Sequence, residues 1–208
     1  MTLPTPIIHV VDDDESLRTA VTCLLRAAGY LVRSYPSAQE FLLLPPTNTP
    51  GCAVLDVQMP GPSGLDLQAA FGKLNVTLPI IFLTAHGDIP MTVRALKAGA
   101  VDFLTKPVQT RVLLNAVQNA LALDAEQRTD QERRGELQAR FEALTPRERE
   151  VCALVVAGKL NKQIAAELGI SERGVKFHRA HVMEKLEATS VAALVRLTEE
   201  CHASSPAS

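Results

Sequence analysis

Apolar and polar positions follow two different rhythms along this chain, and the change between them divides it. Over the first 123 residues, short apolar runs recur at Ile7–Val11, Cys52–Leu55, Ile80–Leu83 and Val101–Leu104, each bounded by turn-forming residues. Runs of this length predict buried strands of a parallel sheet, and Tyr30–Ser34 predicts one more. Between them the apolar spacing is helical. Leu17, Val21, Leu24, Leu25 and Ala28 lead to a stop at Gly29, and Ser37 caps a short helix ended by Pro45-Pro46. Further helices are predicted around Leu65–Lys73, over Ile89–Ala98 before Gly99, and from about Gln109. Strand and crossover helix in alternation predict an α/β domain with a doubly wound, five-stranded parallel sheet.

The rhythm then changes twice. Asp124–Glu142 holds six acids and four arginines, few apolar residues and no proline. It predicts a polar helix bridging two domains, or equally a flexible charged linker. Residues 145–202 carry no strand pattern and predict a small all-α domain. The expected organisation is therefore 1–123, a linker at 124–143, a second domain at 144–202, and a disordered tail at 203–208.

Chemistry collects at the strand ends. Asp12 with Asp13, Asp56, Thr84 and Lys106 each follow or close an apolar run. Right-handed crossovers place the C-terminal ends of these strands along one rim, where open α/β sheets bind ligands. Crowded carboxylates demand a cation, and an ammonium beside a hydroxyl suits a phosphoryl group. Magnesium (or Mn²⁺) fits the oxygen donors: Asp13 and Asp56 directly, Asp12 through water, and the backbone carbonyl of Gln58 from the following loop. An ionised Asp56 can then attack an acyl phosphate or phosphohistidine, with Thr84 and Lys106 holding the phosphoryl oxygens. Taken singly, each residue has a bland reading as a helix cap or surface charge. Their recurrence at four strand ends argues against coincidence.

Composition adjusts this picture. The formal net charge is −2, but residues 145–186 hold eight Lys/Arg against five Asp/Glu, so the average conceals a mildly basic module. Cys23, Cys52, Cys152 and Cys201 are scattered without metal-ligand spacing, as in a reducing compartment. The N-terminus Met1–Pro6 has no basic residue before the apolar run that follows, and no apolar stretch reaches the length of a membrane span, so a cytoplasmic protein without membrane contact is expected. A dinucleotide-binding enzyme needs a Gly-rich turn where this chain has Asp12-Asp13-Asp14. A metal-dependent phosphatase that attacks from the aspartate after the first strand would have no use for the basic module. The expectation is a protein that is not an enzyme.

The basic module reads helix, turn, helix. Ile164, Ala165 and Leu168 share a face, Gly169 breaks the helix, and Ser171 caps the next. At about 100° per residue, Val175, Val182 and Leu186 fall on one side of that helix and Arg173, Lys176, Phe177 and Ala180 on the other. Such a face suits the major groove of double-stranded DNA, with Lys176 reaching guanine and Phe177 or Ala180 touching a thymine methyl. Arg147, Lys162 and Arg179 are expected to contact phosphates.

Both halves resemble a known family. Val11-Asp12-Asp13-Asp14-Glu15, Leu55-Asp56-Val57-Gln58-Met59-Pro60-Gly61, Thr84-Ala85 and Lys106-Pro107 are similar to the receiver domains of two-component response regulators, and the stretch from Thr84 to Met91 resembles the FixJ branch. Leu144–Val151, Lys162–Ala165 and Val175–Arg179 resemble LuxR-type DNA-binding domains, though Gly174 replaces the usual threonine and Phe177 the usual valine. The resemblance implies a flavodoxin-like receiver with Asp56 as phosphoacceptor, Asp12, Asp13 and Asp56 as metal ligands, Thr84 as switch hydroxyl and Phe103 as switch aromatic. It also implies a cis bond at Lys106-Pro107. The last helix, Ser190–Glu199, resembles the family's dimerisation helix, with Val191, Leu194, Val195 and Thr198 as its contact stripe. The function so implied is a phosphorylation-dependent transcriptional activator of the FixJ/NarL type. It would receive phosphate from a sensor histidine kinase, dimerise, bind paired half-sites and engage RNA polymerase.

Overall fold

The computed structural model describes residues 4–203 apart from Leu44, Thr47, Asn75 and 86–88. His86-Gly87-Asp88 of the FixJ-like stretch, and residues 204–208 of the expected tail, lie outside the described residues. Ala203, counted with the tail from composition, closes the last helix. The chain forms two compact units that divide between Arg128 and Thr129.

The first unit alternates strictly: β1 (Ile7–Val11), α1 (Glu15–Ala27), β2 (Leu31–Tyr35), α2 (Ala38–Leu43), β3 (Gly51–Asp56), α3 (Gly64–Leu74), β4 (Ile80–Thr84), α4 (Ile89–Lys97), β5 (Asp102–Thr105), then α5 (Thr110–Glu142). The strands are all parallel in the order β2-β1-β3-β4-β5, the doubly wound sheet the apolar runs predict. Side chains alternate through it into two cores. Val11, Leu55 and Phe82 join Phe41, Leu67 and Phe71 on the α2–α3–α4 side, while Ile8, Val54 and Leu83 join Leu25, Leu113 and Val117 on the α1–α5 side. Strands buried on both faces have no polar rhythm, which is why β1, β3 and β4 read as continuous apolar runs. Strand β5 begins one residue later than its apolar run suggests, although the Val101 amide already bonds the Ile80 carbonyl at 2.8 Å.

The polar stretch 124–142 is helical throughout, as the C-terminal part of α5. Its first acid does not face solvent. Asp124 is 2 % exposed, accepts the Gly51 amide at 2.9 Å, and pairs with Arg128 Nε at 2.9 Å. Arg128 also donates to the Thr49 carbonyl at 2.7 Å. This ties α5 to the strand-entry side of the sheet, opposite the chemical rim. Gly51 is required there, because a Cβ would lie 1.9 Å from the Ile7 carbonyl oxygen.

The second unit packs α6 (Pro146–Val156), α7 (Asn161–Leu168), α8 (Glu172–Lys185) and α9 (Val191–Ala203) around Val151, Ile164, Val175, Val182 and Leu186. Gly169 ends α7 in the left-handed region (φ 64°), and the Ser171 hydroxyl accepts the Gly174 amide at 3.1 Å to start α8. Leu194 is part of this core rather than of an exposed stripe on α9.

Removing Arg128 leaves a buried, unpaired carboxylate. Arg128→Ala should therefore destabilise the first unit by roughly 3 kcal/mol. Urea denaturation against wild type measures this, and Asp124→Asn, which keeps an acceptor for the Gly51 amide, should cost less.

Candidate acidic centre and nucleic-acid interface

Strand ends place the chemical side chains. Asp12 follows β1, Asp56 ends β3, Thr84 ends β4, and Lys106 follows β5 and precedes Pro107 through a cis peptide bond. Carboxylate oxygens of Asp12, Asp13 and Asp56 lie within 4.8 Å of one another. Lys106 Nζ donates to Asp12 Oδ2 and to Asp56 Oδ2, both at 2.8 Å. The remaining oxygens are held by the backbone: Asp12 Oδ1 accepts the Asp14 amide at 2.9 Å, and Asp56 Oδ1 accepts the Gln58 amide at 3.2 Å. Helix α3 can start this close only because residue 64 is glycine, since a Cβ there would lie 2.2 Å from the Asp56 carbonyl oxygen.

Burial governs the charges. It pushes the Asp12 carboxyl above the usual carboxylate range, even though Lys106 opposes the shift. Burial alone would lower the Lys106 ammonium, but its bonds to Asp12 and Asp56 outweigh that and hold it above its ordinary value. Lys106 is thus cationic at neutral pH, and one ammonium faces three carboxylates. That donor set of hard oxygens, short of positive charge, fits a small divalent cation. Thr84 is fully buried, and its carbonyl accepts the Lys106 amide at 2.8 Å. Phe103 is half-buried on β5, its ring 5.9 Å from that of Phe82. The Gln58 side chain is exposed at the start of the β3–α3 loop.

One neighbour of this centre escaped the reading of the sequence. Arg18 on α1 donates from Nη1 to the Asp12 carbonyl at 2.6 Å and, more weakly, to that of Asp13 at 3.4 Å. A cation one turn into a helix that follows an acidic pair was the available signal.

In the second unit, Arg173, Lys176, Phe177 and Ala180 of α8 are exposed, as is Lys162 at the start of α7. Phe177 is 57 % exposed and stacks edgewise on the His181 ring at 4.2 Å. Arg147 and Arg179 are engaged within the module. Arg147 bonds Glu150 and the Leu168 carbonyl at the end of α7, and Arg179 donates to Asn161 Oδ1 at 2.7 Å. Glu148 anchors the helices. It closes a capping box with Thr145, accepts Lys185 Nζ at 2.7 Å, and lies 3.5 Å from His181 Nδ1. The Lys185 bond, with the Thr145 amide, lowers its pKa to about 2.

Because its folded pKa lies below its ordinary 4.5, Glu148 contributes stability above that pH and loses it as pH falls toward 2. Glu148→Gln should cost about 1–2 kcal/mol at pH 7, and the deficit should shrink at pH 3. Thermal unfolding at the two pH values tests it.

Comparison with known proteins bears on both units. The response regulator receiver domain family matches residues 8–118, and the luxR family of bacterial regulatory proteins matches residues 142–198. Nodulation protein W of Bradyrhizobium diazoefficiens is 49 % identical over 193 residues, covering 93 % of this chain and 85 % of its own. Transcriptional regulatory protein FixJ of Rhizobium meliloti is 41 % identical over 190 residues, covering 91 % of this chain and 93 % of its own. Among solved structures, the response regulator StyR superposes with a TM-score of 0.85 at 47 % identity, covering 94 % of this chain and 99 % of that one.

Proposed function

The chain belongs to the response regulators that join a receiver domain to a LuxR-type DNA-binding domain, and we propose that Asp56 is its phosphoacceptor. Proteins of this family receive phosphate from a histidine kinase and bind DNA. The observation that carries the residue assignment is the cluster of Asp12, Asp13 and Asp56 with Lys106 bridging two of them at the sheet's C-terminal rim.

Asp13, Asp56 and the Gln58 carbonyl would hold Mg²⁺ directly and Asp12 through water; the ion supplies charge neutralisation for the carboxylates and the incoming phosphoryl group. An Asp56 carboxylate oxygen attacks phosphorus, the bond from phosphorus to the donor's nitrogen or oxygen breaks, and the leaving group takes its electron pair. Lys106 then exchanges its bond to Asp56 for one to a phosphoryl oxygen, and the Thr84 hydroxyl takes another. Phe103, beside Phe82, follows Thr84 inward.

The output of this switch is a dimer. Helix α4 exposes Ile89 (80 %), Val93 and Leu96 at helical spacing, an apolar stripe that supports self-association once the switch has moved. Each dimer presents two α8 helices to paired half-sites, where the second binds at high effective concentration. Arg173, Lys176, Phe177 and Ala180 read bases and Lys162 contacts phosphate. Arg147 and Arg179 brace the module first and reach phosphates only with their remaining donors. Transcription activation through RNA polymerase, in the cytoplasm, completes the reading and rests on family resemblance. No described helix is long and apolar enough to cross a membrane.

With acetyl phosphate the chain should take up label only when Mg²⁺ or Mn²⁺ is present, and light scattering should then register dimers. Label retained on Asp56→Asn would refute the phosphoacceptor. On DNA, Lys176→Ala should relax base preference and cost about 1–3 kcal/mol at the cognate site. Lys162→Ala should instead weaken all sequences alike and reduce the salt slope by about one unit. Titrations of selected and random duplexes at several salt concentrations distinguish the two, and equal losses on both duplexes would exclude α8 as the reading helix.

A further inference from the structure

We propose that Arg18 is a positioning residue for the acidic centre, setting the direction of the Asp13 carboxylate. The inference rests on the reading of Asp12, Asp13 and Asp56 as metal-binding carboxylates. Two of these are held by their own side-chain bonds: Asp12 by Lys106 and the Asp14 amide, Asp56 by Lys106 and the Gln58 amide. Asp13 is exposed, and its carboxylate has no hydrogen-bond partner among the described residues. Its place within 4.8 Å of the other two therefore depends on its backbone.

That backbone is what Arg18 grips. The Asp12 carbonyl belongs to the peptide before the Asp13 Cα, and the Asp13 carbonyl to the peptide after it. Arg18 Nη1 bonds the first at 2.6 Å and reaches the second at 3.4 Å. Both peptide planes flanking Asp13 are restrained, the first by the guanidinium and the second by it together with the Asp14 amide, which donates to Asp12 Oδ1 at 2.9 Å, and two restrained planes fix the direction of the Cβ between them. Other bonds frame the loop without touching these two oxygens: the Asp12 amide donates to the Tyr35 carbonyl, and the Asp14 side chain caps Ser16 and Leu17. Arg18 is also misplaced on electrostatic grounds. It is the fourth residue of α1, where the helix dipole disfavours a cation. Helical side chains lean toward the N-terminus, so the guanidinium reaches back to the carbonyls that precede the helix.

Charge and position predict opposite outcomes, which makes the test decisive. Arg18→Met keeps most of the stem and removes the charge and every donor. If Arg18 acted only as a nearby cation, the variant would bind Mg²⁺ more tightly. If it positions Asp13, Mg²⁺ binding measured by isothermal titration of the full chain should weaken about fivefold to tenfold, the loss expected of one typical intramolecular hydrogen bond. Arg18→Lys, which retains a cationic donor group, should recover part of that affinity. Unchanged or tighter Mg²⁺ binding in a folded Arg18→Met protein, or no recovery in Arg18→Lys, would overturn the assignment. Asp13→Asn is the companion measurement. If it binds Mg²⁺ as well as wild type, the metal-site reading itself fails, whatever Arg18 does.

Discussion

The ammonium of Lys106, placed 2.8 Å from carboxylates of both Asp12 and Asp56, is the contact on which the receiver's chemistry depends. It joins the ends of three strands, since Asp12 follows β1, Asp56 closes β3 and Lys106 follows β5. Burial pushes the Asp12 carboxyl above the usual carboxylate range, and repulsion from Asp56 adds to that. One ammonium offsets part of the negative charge and leaves the remainder for a divalent cation. If Asp56 is the phosphoacceptor as proposed, the same bond is the one that phosphorylation must break, because a phosphoryl group there competes for the same donor. Stability of the resting centre and sensitivity to phosphate thus reside in one interaction.

The opposite end of the sheet is secured by different means. There Asp124 and Arg128 bind the backbone at Gly51 and Thr49, extending the receiver beyond the limit that composition suggests. A buried pair of this kind is costly to desolvate and costly to break. Its value is geometric: it fixes helix α5 against the strand-entry side. The sheet between the two ends is filled by Ile8, Val54, Phe82 and their neighbours, close-packed as protein interiors are.

Legibility in the sequence follows from how local each signal is. Asp12, Asp56, Thr84 and Lys106 could be found because each ends an apolar run, and parallel topology converts four separate run ends into one rim. Asp124 could not, since it lies in a stretch whose composition reads as solvated and its partner amide is 73 residues away. Arg147 and Arg179 illustrate a different limit. Helical periodicity assigns a residue to a face, but a long guanidinium reaches past its own face to a neighbouring helix end, here Leu168 and Asn161. Leu194, which the resemblance places on a contact stripe of α9, packs into the core of its own unit, a placement that the resemblance does not reveal.

This separation of cations has a consequence for DNA recognition. Those of the output unit include a bracing set (among them Arg147, Arg179 and Lys185), bound to acids, amides and carbonyls inside the module, and a solvent-facing set that includes Lys162, Arg173 and Lys176. A bracing cation cannot be exchanged without loosening the helices, whereas a solvent-facing one can change with little effect on the fold. Gly174 lies on the same helix, at its third residue, where a Cβ would meet only ordinary contacts with Ser171 and Ile170. Glycine is therefore not demanded by space, and its helix penalty of up to about 1 kcal/mol is tolerated because the Ser171 cap and the Val175 core contact carry the helix start. The exposed face of α8 is free to vary because the residues that hold the helix in place are different ones.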